Sequence, residues 1–544
     1  MAQWNKTTQD YLNQERSLFE VYMSADKYGN TEFSNAHNPG GTGAFGENIS
    51  ESITPVLQLD GLYGIGDDNL FQLNSAGSGG QSVDSNGLMT VNSGTGSGNF
   101  ATLRSKRSIR YRPGQGSMCR FTAMWPVGFT TGYQQVAGFI NQSDVLSVGY
   151  NYGDVGVAAT TRKEFAILRR SYGKGEVFQL NVTTAATQTG IATITLDGTA
   201  HEVTLYDASS NTGVTAAGIG TNTFTGWVVD YAGSKVNFLY NGPPSNRTGV
   251  FSVVNNAGAV IGVSTLQDGA AASDEWVYQS SFNVDKLDGT GTSGMTIDTT
   301  KLNVFQIDFR WLGSGVTRFA IEDPDSGNMF TFHEINYSNR NTRSHLSNPS
   351  MRVGYAAVNA APALGTGTDV TVKGGSMMGA IQGNVVSNVT SKSASNAYDS
   401  NLAADIDHHL LTVKNDRINE AGTNNVLNQR EVLFKSLAAG VVATGSNIVT
   451  IKVYKNADLS NGSNVVNFVY SKTENQTSSS TTTARHKSGT GTLIATFTVT
   501  SNSTTNIDLE PYRMILAPTE RLSVFFNCTA VLSTSVCGLT YIEE

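Results

Sequence analysis

Two short runs of alternating polar and apolar residues, separated by a Pro/Gly cluster, restrict the fold more than any other part of the sequence. Polar and apolar residues alternate along Ser108–Arg112 and along Met118–Met124, and Pro113-Gly114-Gln115-Gly116 separates the two runs. A period of two residues is typical of a half-buried strand, and a Pro/Gly cluster interrupts the hydrogen bonds of a sheet. The stretch therefore predicts a β-hairpin that belongs to a sandwich sheet.

The same pattern of two strand-like runs separated by a turn recurs much later in the chain, in Val304–Trp311 and Val316–Ile321. The segment 177–271 between the two regions is different, because it is richer in Thr, Ala and Gly. A β-sandwich buries one face of every strand, so the simplest arrangement is that 100–176 and 272–362 share one core. We therefore predict a split β-sandwich that carries 177–271 as an inserted small β module.

The other segments follow from the same patterns. We interpret 34–99 as an extended arm with edge strands, 363–394 as a linker with strands and 395–544 as a C-terminal β-sandwich. In 1–33 the apolar residues instead fall at helical spacing after Thr8, which can cap a helix. This N-terminal helix packs either on its own domain or on a neighbouring subunit, and the second case would make it an anchor.

The composition favours an all-β fold of several domains. Of the 544 residues 57 are glycine and only 15% are charged, which indicates many short strands joined by tight turns. The formal net charge of −8 argues against sequence-independent binding to nucleic acid or to an anionic membrane, since both need clustered Lys and Arg. No run reaches the ~18 apolar residues of a membrane span, and the N-terminus has no signal-peptide pattern, so we expect a cytosol-like site of synthesis. The cysteines lack metal-binding spacing and are expected to be buried thiols: Cys119, Cys528 and Cys537.

Two acidic groups are candidates for the carboxylate pair of a glycosidase. They are Glu322, Asp323 and Asp325 in one group and Asp67-Asp68 in the other. The two aspartates of the first group lie in Asp-Pro-Asp-Ser-Gly, which is a common turn sequence, and the group lacks the further ligands of a calcium loop. We therefore expect a turn there rather than a catalytic pair.

A second polar cluster holds two carboxylates and two imidazoles that could bind a metal: Asp405, Asp407, His408 and His409. Adjacent histidines of a strand point to opposite faces, so a polar edge is the favoured interpretation. His333 and His345 stand alone, and no nucleophile or phosphate-binding motif is present. We expect no catalytic, cofactor or metal site, and hence no enzyme.

Several aromatic residues near strand ends could stack on a sugar ring, although a core or interface position is the alternative: Tyr133, Tyr150, Tyr152, Trp311 and Tyr337. Tyrosine-rich loops on a rigid sandwich suit recognition, because they offer a large contact area at low entropic cost. The sequence does not decide which of these rings face outward.

Both halves of the predicted sandwich resemble a module of virion structural proteins. The stretches YRPGQGSMCRFTAMW and FQIDFRWLGSGVTRFAIEDPDSGNMFTFHEINYSN look like the concanavalin-like, laminin-G-like jelly roll found in proteins of tailed phages, cyanophages among them, and of large double-stranded DNA viruses. The inserted QTGIATITLDGTAHEVTL is similar to small β modules of phage tail and fibre proteins, and REVLFKSLAAG begins a segment that looks like their end domain. The resemblance covers most of 100–544 and includes no catalytic motif.

The resemblance implies a structural component of a virus particle, namely a surface fibre, spike or tail appendage subunit that contributes to host attachment. The alternatives are a capsid or tail scaffold or decoration subunit without receptor binding, and a glycan depolymerase on the virion. The low charge of the strands predicts a homo-oligomer, and the resemblance implies that this oligomer is a trimer. The expected partners are further copies of the chain, other virion proteins through 1–33, and a host glycan or receptor. We also expect the chain to be assembled in the host cytoplasm and to be located in the virion.

Overall fold

The structure is a computed structural model that describes the residue pairs 24–25 and 31–32 and residues 53–544 apart from short gaps. The gaps are 68–69, 153–162, 209, 255, 360–368, 383–388, 399–401, 419–426, 444–446, 462–463, 467, 469, 473–476 and 482–483. Ser24–Ala25 and Thr31–Glu32 form a short antiparallel pair, and the rest of the predicted N-terminal helix lies outside the described residues.

The described chain is built of antiparallel strands, so the prediction of an all-β fold made of β-sandwiches is confirmed. The strands of its first half are β1 (Ser24–Ala25), β2 (Thr31–Glu32), β3 (Ile53–Asp60), β4 (Phe71–Ala76), β5 (Gly80–Val83), β6 (Met89–Asn92), β7 (Phe100–Ser105), β8 (Ser117–Ala123), β9 (Tyr133–Ile140), β10 (Val145–Tyr150), β11 (Ala166–Ser171), β12 (Val177–Thr184), β13 (Gly190–Leu196), β14 (Thr199–Leu205), β15 (Trp227–Ala232), β16 (Lys235–Tyr240), β17 (Ser252–Val254), β18 (Val260–Gln267) and β19 (Ser273–Tyr278).

The remaining strands are β20 (Asn303–Phe309), β21 (Thr317–Glu322), β22 (Met329–Ile335), β23 (Val353–Asn359), β24 (Thr371–Gly374), β25 (Ser376–Gln382), β26 (Lys392–Tyr398), β27 (His408–Asn415), β28 (Val432–Ala443), β29 (Ile448–Lys455), β30 (Leu459–Asn461), β31 (Asn464–Val466), β32 (Ser471–Lys472), β33 (Thr477–Ser480), β34 (Arg485–His486), β35 (Thr492–Thr500), β36 (Ser503–Asp508), β37 (Ile515–Leu516), β38 (Arg521–Cys528) and β39 (Leu532–Glu543). One α-helix, α1 (Thr212–Gly220), and two 3-10 turns, Gln279–Ser281 and Glu510–Tyr512, are also described.

The first of two compact units comprises Met1–Gly173 and Ala272–Val386. Its larger sheets have the strand orders β19-β11-β10-β9-β23-β7-β4 and β22-β21-β20-β8-β25-β3, and a small sheet has the order β24-β6-β5. Strands from before and after the insertion pair directly, as in Phe121 opposite Phe305. Ser171 pairs with Ser273 where the chain leaves and rejoins the unit, so the two ends of the insertion are adjacent.

The core of the first unit is aromatic, with Trp125 at edge-to-face distances of 5.4 Å from Phe165 and 5.9 Å from Phe305. Segment 34–99 contributes more than the predicted arm. Its strands β3 and β4 lie at sheet edges, but Leu57 and Leu59 of β3 and Phe71 of β4 are buried in the same core. The arm interpretation missed this because short apolar runs between Gly/Ser stretches do not reveal which sheet covers them.

The predicted hairpin between Ser108–Arg112 and Met118–Met124 is wrong. Both edges of β8 are occupied, by β20 and by β25, so the preceding run has no free edge to pair with. Instead, Ile109 forms an isolated bridge with Met351 and is fully buried. The later pair of runs does form a hairpin, β20 with β21.

The second unit comprises Lys174–Ala271 and Ser387–Glu544. Its sheets have the orders β15-β16-β12-β18, β14-β13-β17 and β26-β39-β28-β36, and a nine-stranded sheet contains the path β31-β30-β34-β27-β38-β29-β35. The insertion is not a separate module within this unit. Phe178 and Phe238 of the insertion share one buried cluster with Tyr470 and Phe525 of the C-terminal segment.

Helix α1 is held by small side chains rather than by an apolar stripe. Its sequence is TGVTAAGIG, and Ala216, Ala217 and Ile219 are buried. Asn211 caps it by accepting hydrogen bonds from the backbone N–H groups of Gly213 at 3.0 Å and of the next residue at 3.3 Å. A helix covered on several sides lacks the amphipathic period, which is why the sequence did not indicate it.

The cysteines and the single α-helix of the described residues complete the description of the fold. Cys119, Cys528 and Cys537 are free and buried, as predicted. Within the described part of the chain, no helix has the length and apolar character needed to span a membrane.

Candidate binding cleft

The nine-stranded sheet of the second unit has two different faces. Along β29, Val449, Ile451 and Val453 are buried in the core that also contains residues of the sheet β26-β39-β28-β36. Because side chains alternate along a strand, Lys452 and Tyr454 lie on the other face, where they are half-buried. The insertion covers part of that face, and the uncovered part borders an open cleft of about 830 Å³.

We call this concavity the Asp407 cleft. Its charged and polar lining includes Asp405, Asp407, Lys452, Tyr454, Arg485 and Asn527, and the loop 488–491 forms part of its wall. These residues come from the segment before β27 and from strands β29, β34 and β38. The strands are neighbours in one sheet, which is what brings residues so distant in sequence together.

Asp407 is the centre of the polar network. Lys452 Nζ donates to both of its carboxylate oxygens at 2.8 Å, and Asn527 Nδ2 donates to Oδ1 at 2.6 Å. The backbone N–H of His486 donates to the carbonyl of Asp407 at 3.0 Å, which fixes the backbone as well. The ammonium and the amide together hold the carboxylate in one orientation through charge-assisted hydrogen bonds.

The loop at the wall of the cleft is fixed by short-range hydrogen bonds. His486 Nε2 donates to the Thr490 carbonyl at 3.0 Å, since a carbonyl can only accept, and this assigns the proton to that nitrogen. The His486 ring stacks on Tyr454 with centroids 4.1 Å apart. Gly491 has φ +68°, and a Cβ there would lie 2.6 Å from backbone atoms of Ala457, so only glycine fits.

The structure brings two of the four predicted cluster residues into the cleft, Asp405 and Asp407, and separates the two histidines. His408 Nε2 donates to the Ala403 carbonyl at 2.9 Å, and burial lowers the pKa of its imidazole. The His409 ring instead packs on Phe525, 5.6 Å between centroids. Among the residues that the structure describes, no group of three or more His, Cys, Asp or Glu side chains is arranged to hold a metal ion.

The acidic group at 322–325 forms a turn, as the sequence suggested. Asp323 accepts from the Ser326 hydroxyl at 2.7 Å and from the backbone N–H of Asp325 at 3.1 Å, and the serine hydrogen bond lowers the pKa of the Asp323 carboxyl. Glu322 is the last residue of β21. The carbonyl of Asp67 accepts from the N–H groups of the residues three and four positions later, and Asp68 lies outside the described residues.

The two lone histidines and the five aromatic candidates are structural parts of the first unit. Burial lowers the pKa of His333 to about 4 and that of His345 to about 3, so both are neutral near pH 7. The aromatic rings are buried or half-buried and their polar atoms are hydrogen-bonded within the unit, for example the hydroxyl of Tyr150 to Thr299 at 2.7 Å. None of the five lines the Asp407 cleft: Tyr133, Tyr150, Tyr152, Trp311 and Tyr337.

Sequence reasoning missed Lys452, Tyr454, Arg485 and Asn527. One signal was available, because IVTIKVYK alternates strictly and therefore places the lysine and the tyrosine opposite the Val/Ile face. That this second face would be partly open could not be read from the strand itself.

No protein-family model and no curated protein matches the chain. Structural neighbours include lectin II from Ulex europaeus, 9% identical with a TM-score of 0.21 over 60% of this chain and 99% of that chain. Arcelin-5, a lectin-like defence protein from Phaseolus vulgaris, is 11% identical with a TM-score of 0.20 over 58% and 95%. A chain of Sulfolobus turreted icosahedral virus is 7% identical with a TM-score of 0.13 over 91% and 98%. At these TM-scores the neighbours carry no argument about function.

Proposed function

We propose that the chain is a non-enzymatic structural subunit of a virus particle, a surface fibre, spike or tail appendage that contributes to host attachment. It is assembled in the host cytoplasm as a homo-oligomer, most simply a trimer, and joins other virion proteins through residues 1–33. The observation that carries this proposal is a pair of edge strands without charged residues. Such edges suit a subunit whose sheets are covered by neighbouring copies. The resemblance of its sequence to virion structural proteins supports the location.

The edge strand β18 shows the point most clearly. It ends the four-stranded sheet of the second unit, has the sequence VIGVSTLQ without a charged residue, and leaves Val260 and Val263 55% and 45% exposed. Proteins that stay monomeric protect such edges with charged residues, proline or bulges. The pairing of β18 with β12 shifts register near both ends, but Ile261–Thr265 pair regularly between the shifts and include neither a charged residue nor a proline.

A second uncharged edge lies in the same unit. β35 ends the nine-stranded sheet, its sequence is TLIATFTVT, and Leu493 is 48% exposed. Two such edges on one unit favour an assembled subunit, because each offers a row of backbone donors and acceptors to another chain.

The Asp407 cleft supports binding over catalysis. Its central carboxylate is ion-paired with Lys452 and hydrogen-bonded to Asn527, whereas the general acid of a depolymerase must gain and lose a proton. A turnover assay with the glycans that the protein binds separates the two: a binding subunit releases no shortened product.

Immunolabelling of virus particles tests the location. Antibodies against residues 395–544 should label intact particles, with particles opened by detergent as the control for access. Labelling of opened particles alone would identify an internal scaffold, and absence of label from both would refute a virion subunit.

A further inference from the structure

We propose that the Asp407 cleft binds a neutral sugar residue, the terminal or penultimate unit of a glycan. This inference deepens the attachment role proposed above and rests on it for its biological setting. The binding chemistry depends on the residues of the cleft alone.

The cleft offers one unpaired charge of each sign. The carboxylate of Asp405 and the guanidinium of Arg485 have no hydrogen-bond or ion-pair partner among the described residues, although both line the cleft. Asp405 is exposed and Arg485 is half-buried. A hydroxyl group can donate to the first and accept from the second, so a polyhydroxylated ligand satisfies both.

The charge balance of the lining selects a neutral ligand. Two carboxylates, Asp405 and Asp407, face two cations, Lys452 and Arg485, so neither an anion nor a cation gains net attraction. An anionic sugar would bring its carboxylate towards Arg485 but also towards Asp405. A neutral sugar avoids that repulsion and still uses the donors and acceptors.

The remaining lining suits the less polar face of a sugar ring. Tyr454 and Leu493 supply apolar surface beside the polar network, and Leu493 is 48% exposed. A sugar ring has polar edges and C–H faces, which match a tyrosine ring that combines an apolar body with a polar tip. The volume of about 830 Å³ lies within the usual range for small-ligand sites, and the cleft is open enough for a longer chain to leave it.

The site is largely formed before a ligand arrives. Lys452, Asp407 and Asn527 already hold one another, and the stack of Tyr454 on His486 with the closed loop 488–491 fixes the wall. Groups that are ordered beforehand cost little entropy on binding. Affinity therefore depends on the polar contacts that the ligand completes.

The test uses the full-length chain on an array of neutral oligosaccharides (hexose and N-acetylhexosamine) and acidic ones (uronate and sialate), followed by titration calorimetry with the strongest neutral binder. Asp405→Asn keeps the side-chain shape, Arg485→Gln keeps a shorter polar side chain, and each substitution removes one charge. We expect each to weaken neutral-glycan binding by about tenfold or more, a loss typical of one good polar contact. The matched controls, Asp325→Asn and Arg340→Gln, change exposed residues of the first unit and should leave affinity within about twofold.

The inference is overturned by a wild-type chain that binds no neutral glycan, by binding restricted to acidic glycans, or by affinity that neither cleft variant alters. Far-UV and near-UV circular dichroism of the variants establishes that they fold. A chain that labels on intact particles but binds no glycan sinks this inference and leaves the proposed function standing. Glycan binding by a chain that is absent from particles supports this inference and refutes the proposed function.

Discussion

A buried ion pair joins the insertion to the C-terminal sandwich inside the second unit. Lys414 Nζ of β27 donates to Asp230 Oδ1 of β15 at 2.5 Å and to the Tyr231 carbonyl, and it lies 3.5 Å from Asp416 Oδ1. The side chains of Lys414 and Asp230 are each 4% exposed. Burial alone would lower the pKa of Lys414, but the carboxylates of Asp230 and Asp416 overcome that effect and raise it.

Replacing this lysine tests how much the shared core depends on the pair. Lys414→Met should lower the free energy of unfolding of the second unit by about 3–5 kcal/mol, because two carboxylates are left buried without their counter-charge. The control is Lys435→Met, whose partner Glu510 lies 2.6 Å away but is 56% exposed, so the expected loss is about 0–1 kcal/mol. Adding Asp230→Asn to Lys414→Met should recover part of the loss.

Guanidinium unfolding at pH 7, followed by hydrogen exchange of peptides that cover β15 and β27, measures the effect. The pKa of Lys414 is raised in the folded state. Its contribution is therefore complete below the unfolded pKa of about 10.4 and is lost only as the pH rises through the folded pKa. A loss below about 1 kcal/mol, or equal losses for the buried and the exposed pair, would show that the pair does not hold the two segments together.

Gly491→Ala should reduce the free energy of unfolding by about 1–3 kcal/mol more than Gly489→Ala in thermal melts, since both have positive φ but only the first Cβ would meet backbone, at 2.6 Å; equal melts would contradict this. Burial lowers the pKa of His345 from its usual 6.5 to about 3. The stabilising contribution of the neutral imidazole is therefore complete above pH 6.5, and the free energy of unfolding should fall by about 1.4 kcal/mol per pH unit from pH 6.5 towards pH 3. His345→Gln should flatten that slope in unfolding experiments, and parallel slopes would rule the explanation out. Val263→Lys on edge strand β18 should shift sedimentation of the full chain towards smaller species. The control Ile191→Lys changes a residue that is 54% exposed on the central strand β13 and should cause no such shift. A monomeric wild-type chain would contradict the proposed oligomer.

Local patterns in the sequence predicted the local structure well. The alternation in the runs that became β20 and β21 and the turn chemistry after Glu322 both correspond to what the structure shows. These features depend on neighbours within a few residues, and the sequence contains them directly.

Long-range pairing could not be predicted in the same way. The run Ser108–Arg112 has a strand pattern, yet the edges of β8 are taken by strands from far along the chain. The composition changes at 177, which favoured a separate module, whereas the buried aromatic cluster of the insertion is completed by Tyr470 and Phe525. Alternation shows that a face must be buried and leaves open what buries it.

The candidate site illustrates both cases. Asp405 and Asp407 stand out because they are close in sequence, and the structure places both in the cleft. Asn527 and Arg485 reach it only through the strand order of the nine-stranded sheet. Their role follows from topology, which the sequence patterns did not determine.

A reconstruction of the virus particle at a resolution that traces this chain decides whether it is a surface subunit. We expect copies at the particle surface, with β18 covered by a neighbouring subunit and the Asp407 cleft open to solvent. A chain absent from the particle, or enclosed beneath the shell with the cleft inaccessible, would contradict it.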